Sequence, residues 1–92
     1  MSIENREDKT ETACRICGHD DGEPVFDAYG VPQYVICPCC YNESGIGDDN
    51  VSQVRELRGY WVANGAQWFE PKLRPADWDL LKQLANIPPD WR

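Results

Sequence analysis

A chain of 92 residues with a formal net charge of −7 forms one small domain, with too little core to hold itself together without a staple. The acidic balance argues against a nucleic-acid module, whose affinity comes from basic residues that neutralise phosphate. No apolar run approaches the ~20 residues of a membrane helix, and five cysteines cannot all pair within one chain.

Residues 1–12 are almost wholly polar or charged, lack the apolar stretch of a signal peptide and read as a disordered tail. A cytoplasmic location follows as the expectation, and in that reducing compartment paired cysteines bind metal more often than they form disulfides. Residues 13–92 are then one metal-stabilised domain, a zinc-ribbon part at 13–49 and a two-helix part at 50–92. The predicted fold is small α+β, a two-knuckle β-hairpin followed by two α-helices.

The first knuckle is Cys14-Arg15-Ile16-Cys17-Gly18. Strand candidates follow at 25–29 and 33–36, and Gly30-Val31-Pro32 between them is a turn signal, so the pattern predicts a hairpin. The second knuckle is Cys37-Pro38-Cys39-Cys40, and 42–49, with Gly45 and Gly47, is a loop. A helix is predicted over 51–64: Asn50 is a good N-cap, Gln53 takes the capping-box position and Gly65 follows the last periodic residue. Val51, Val54, Leu57, Trp61 and Val62 share one arc, and Arg58 falls inside it. Arg58 is expected either to snorkel over apolar surface or to meet a carboxylate or an indole. A second helix is predicted over 75–86, with Pro75 in its first turn, an apolar stripe of Trp78, Leu81, Leu84 and Ala85, and a stop at Pro88-Pro89. Trp61 and Trp78 read as core, whereas Trp68 and Phe69 lie outside the helices and are the candidates for an exposed recognition edge.

Two C-x2-C pairs separated by nineteen residues match the spacing of a zinc site. Each tight turn aims two thiolates at one point, and four sulfurs at ~2.3 Å satisfy a tetrahedral zinc ion. Cys14, Cys17, Cys37 and Cys40 are the expected ligands of one structural Zn2+, with Cys39 left over as a possible reactive thiol. Ligation through Cys39 would replace the second x2 turn, and His19 is the other rival ligand. The two knuckles cannot be equally relaxed. Gly18 accepts a positive φ freely, but Tyr41 holds the matching position, so either Tyr41 is strained or its turn departs from the first.

Catalytic readings fare less well. Cys-Pro-Cys-Cys after an apolar strand has a thioredoxin-like look, but Tyr41-Asn42-Glu43-Ser44-Gly45 is a poor helix start, and the first cysteine pair would have no role. Four thiolates leave no open position for a zinc hydrolase, the deaminase signature H-x-E with P-C-x-x-C is missing, and no calcium-loop register occurs.

The run Tyr34-Val35-Ile36-Cys37-Pro38-Cys39-Cys40 resembles small bacterial cysteine-rich CPCC proteins. Residues 78–88, Trp-Asp-Leu-Leu-Lys-Gln-Leu-Ala-Asn-Ile-Pro, are similar to the ending of small bacterial zinc-ribbon-like proteins. The resemblance implies a bacterial origin and a two-knuckle fold, and supplies no activity. The leading expectation is a non-enzymatic zinc module that binds another protein, one version being a regulatory or immunity-type component that neutralises a basic partner. The alternatives are a nucleic-acid-binding ribbon, for which Arg55, Arg58, Lys72 and Arg74 would have to cluster, and a thiol sensor using Cys39.

Overall fold

A computed structural model describes residues 10–92. The tail placed at 1–12 therefore falls mostly outside the described residues. At its end, Glu11 exchanges main-chain hydrogen bonds with Val25 and Phe26.

The predicted β-hairpin does not form. Among the described residues the strand-like pairings are four isolated bridges, Glu11 with Phe26, Ala13 with Asp20, Phe26 with Pro32, and Ile36 with Glu43. Two causes are visible. Tyr34 has a φ of 56°, which breaks the extended backbone, and Pro32 has no N–H to extend a ladder. Nor is there a buried face for a sheet to cover: Val31, Tyr34, Val35 and Ile36 are all exposed, without the alternation that fixes a strand's register. The α+β assignment is thus corrected to a small globule of knuckles, loops and short helices.

Helix α1 spans Val51–Ala63, within a residue of the expected range. The Asn50 side chain accepts from the Gln53 N–H, as an N-cap should. At the other end Gly65 (φ 96°) donates to the Val62 carbonyl and Ala66 to that of Trp61, a Schellman closure. Val54 is fully buried and Leu57 and Trp61 are half-buried, but Val62 stays exposed.

The second helix is much shorter than predicted. Helix α2 covers only Leu80–Leu84, because the Asp79 side chain caps the Leu81 and Lys82 N–H groups and starts it late. Starting at Leu80 also rotates its inner face. Leu80, Gln83, Leu84 and Ile87 point inward at helical spacing, while Leu81 is 75% exposed. Pro71–Leu73 and Pro89–Trp91 add single 3-10 turns.

The core joins both knuckles to α1 and the C-terminal segments. Cys14, Ile16, Cys17, Cys37, Cys39, Val54 and Trp68 are buried together, with Leu57, Trp61, Trp78 and Trp91 packed against them. Four of these seven buried residues are cysteines, so whatever joins the sulfurs also joins the core.

Candidate metal centre

The two knuckles repeat one backbone pattern. Cys14 N–H donates to the His19 carbonyl and Gly18 N–H to that of Cys14; Cys37 N–H donates to Asn42 and Tyr41 N–H to Cys37. The four distances lie between 2.8 and 2.9 Å, and each pattern closes on a bridge at the flanking residues. Gly18 has a φ of 83° and Tyr41 of 74°. The second knuckle therefore copies the first, with Tyr41 in the left-handed conformation that an L side chain adopts at a cost.

This symmetry brings Cys14, Cys17, Cys37 and Cys40 together, their sulfurs all within 4.8 Å of one another. Cys14 Sγ lies 3.6 Å from Cys40 Sγ, and Cys17 Sγ lies 3.7 Å from Cys37 Sγ. Sulfurs at ~2.3 Å from the centre of a tetrahedron are ~3.8 Å apart, so the set fits a tetrahedral ion. All five cysteines are free of disulfides. The four cysteines could hold a metal ion. Their crowding suits one, since the sulfurs meet in the pairs Cys14–Cys40 and Cys17–Cys37 and compete for the same protons. A divalent cation exchanges that conflict over protons for a shared positive charge.

Neither rival ligand joins the group. His19 Nε2 is buried without a hydrogen-bond partner, 3.7 Å from an Asp21 oxygen, and its ring stands edge-on to Trp68 at 5.3 Å. Cys39 is fully buried and falls outside the set of four, and its sulfur accepts from Gln83 Nε2 at 3.3 Å. Solvent does not reach it in the folded chain, which leaves a sensor at Cys39 without an entry route.

Two side chains that sequence patterning missed hold the surroundings in place. Gln83, 8% exposed, accepts from Trp78 Nε1 at 2.7 Å and donates to the Cys17 carbonyl and to Cys39. Its signal lay in the spacing Leu80, Gln83, Leu84, Ile87, visible once Asp79 is read as the N-cap. Arg15, inside the first knuckle, is also 8% exposed. Its guanidinium lies between the Phe26 and Trp91 rings, 3.6 and 3.9 Å from their centroids, and forks onto both Glu11 oxygens at 2.8 Å. A further N–H goes to the Asp48 carbonyl. Nothing local to C-R-I-C foretells that burial.

Among the described residues, Arg58 meets neither a side-chain carboxylate nor an indole face. It donates to the main-chain oxygens of Arg15, Ile16, Trp91 and Arg92, tying α1 and the C-terminal turn to the first knuckle. Trp68 is not an exposed edge either. It is 7% exposed, packed edge-on to Trp78, and belongs to the core because Ala66 and Gly65 turn the chain inward after α1. Phe69 is 50% exposed and stacks on Tyr41 with ring centroids 4.2 Å apart. Its N–H bonds the Cys39 carbonyl and that of Glu70 bonds Pro38, which fixes this edge to the second knuckle.

No protein-family model, curated protein or solved structure matches the chain. The geometry of the four sulfurs carries the functional reading. Among the described residues, no helix is long and apolar enough to cross a membrane.

Proposed function

We propose that the chain is a non-enzymatic module in which one structural zinc ion, held by Cys14, Cys17, Cys37 and Cys40, fixes a surface that binds a protein partner. The observation that carries the zinc reading is the closed set of four sulfurs at tetrahedral spacing. Four thiolates match the soft-ligand preference of zinc and leave no position for a reacting water.

The binding surface in this proposal is the aromatic pair Tyr41 and Phe69, 59% and 50% exposed, held rigid against the second knuckle. Exposed aromatic anchors on a fixed backbone are what protein interfaces favour. Four thiolates and one Zn2+ add a net −2, taking the formal charge from −7 to −9, and such a surface steers a basic partner inward. A regulatory or immunity-type role, neutralising a basic protein, is the form this takes.

A nucleic-acid-binding ribbon is less well supported. Arg55 and Arg58 spend guanidinium N–H groups on main-chain oxygens instead of presenting them to phosphate. The test is capture of host proteins by the zinc-loaded chain and by Phe69→Ala, beside a low-salt assay with mixed nucleic acids. A partner lost with Phe69→Ala supports the proposal. Salt-sensitive nucleic-acid binding with no protein captured would overturn it.

A further inference from the structure

The four sulfurs are not equally protected. Cys14, Cys17 and Cys37 are 8%, 0% and 7% exposed, whereas Cys40 is partly open to solvent. Cys40 lines a groove of about 350 Å³ together with Tyr41, Leu57, Tyr60 and Trp61, and with Asn42 and Asn64 as its polar members. That volume lies within the range that takes small organic ligands, and the walls are mainly aromatic and apolar. The residue after Cys40 is Tyr41 at φ 74°, so the most accessible ligand sits beside the most strained backbone of the centre.

We infer that Cys40 is a modification site, alkylated by small apolar electrophiles of the α,β-unsaturated carbonyl class that enter this groove, and that its alkylation releases the metal. The inference rests on the zinc reading above. A metal-bound cysteine remains a thiolate, and the thiolate is the nucleophile. A sulfur lone pair of Cys40 forms a bond to the β-carbon, the carbon–carbon π pair moves towards the carbonyl as an enolate, and a proton from water completes the α-carbon. Nothing is oxidised or reduced. The product is an uncharged thioether, which no longer supplies the anionic ligand that a closed tetrathiolate site requires. The apolar walls select the reagent class, since a polar or charged electrophile gains nothing from Leu57 and Trp61. Cys39, though free of the metal set, is fully buried and offers no competing entry.

The experiment uses the full chain with its metal content measured first. A preparation that is folded without metal refutes the zinc reading on its own terms. On zinc-loaded chain, substoichiometric N-ethylmaleimide is added, zinc release is followed with a chromogenic chelator, and the adduct is located by peptide mass spectrometry. The expected result is a first adduct on Cys40, with one zinc lost per adduct. A first adduct on any other cysteine, an even spread over all five, or a Cys40 adduct that retains its zinc would overturn the inference while leaving the zinc reading intact.

Discussion

Gly18 and Tyr41 occupy the same place in two copies of one turn, each donating its N–H to the carbonyl of the knuckle's first cysteine at 2.9 Å and each at positive φ. Only one of them is suited to that conformation. A non-glycine residue there costs about 1–2 kcal/mol, which Tyr41 offsets in part by stacking on Phe69. Tyr41→Gly should therefore be close to neutral in the native chain and stabilising by about 1 kcal/mol in a Phe69→Ala background, where no stacking is left to lose. Denaturant unfolding of the four chains checks this, and equal effects in both backgrounds would contradict it.

At Gly18 the constraint is double. Besides its φ of 83°, an added Cβ would overlap the Gln83 main-chain oxygen, which is not a flexible side-chain end. Gly18→Ala should cost about 3 kcal/mol or more, the left-handed penalty and the overpacking together. A thermal melt within a degree or two of the native chain would refute that.

The contrast between what patterning reads and what it misses runs through these residues. Cysteine spacing and the caps of α1 are local signals, so the cluster of four cysteines and the first helix were legible. The hairpin was not, because hydrophobic content at 25–36 suggests strands while Tyr34 takes a positive φ and Val31, Tyr34, Val35 and Ile36 find no buried face. Arg15, Arg58 and Gln83 escape for another reason. Their partners are 30 to 70 residues away in places, and a polar residue gives no sequence sign that its hydrogen bonds will be satisfied inside. Trp68 lies outside any helix, so no periodicity marks it as core, yet packing against His19 and Trp78 buries it.

The Arg15 sandwich makes a sharp demand on side-chain shape. Arg15→Lys keeps the charge but loses the fork onto Glu11 and the planar stacking on Phe26 and Trp91, so it should cost about 2 kcal/mol. Arg15→Ala should cost about 3–5 kcal/mol, since it leaves Glu11 and the Asp48 carbonyl without their partner. Removing Glu11 as well should then add little, a coupling that a double-mutant cycle measures. Additive losses would mean that the pair is ornamental.

Asp48 carries a pH dependence of defined sign. Burial raises its carboxyl above the ordinary range, against the opposing pull of the Gly45 N–H and of Arg15. A carboxyl raised in the folded state stabilises fully below its unfolded value and loses that contribution as pH rises through its folded value. Asp48→Asn keeps the acceptor for Gly45 without the buried charge. Relative to the native chain, the variant should gain stability as pH climbs from about 4 towards 7. Unfolding of both chains across that window gives the difference directly, and one that is flat or widens towards acid would contradict the assignment.

Metal should be inseparable from the fold, because Cys14, Cys17 and Cys37 are three of the seven residues of the buried centre and Cys40 packs against it. Structural zinc in small domains contributes on the order of 10 kcal/mol to folding, so a strong chelator should collapse the near-ultraviolet signal of the packed tryptophans. X-ray absorption at the zinc edge of the purified full-length chain tests the centre most directly. The account predicts zinc with a shell of four sulfurs at ~2.3 Å. A folded chain without zinc, or a shell in which nitrogen or oxygen replaces a sulfur, would contradict it.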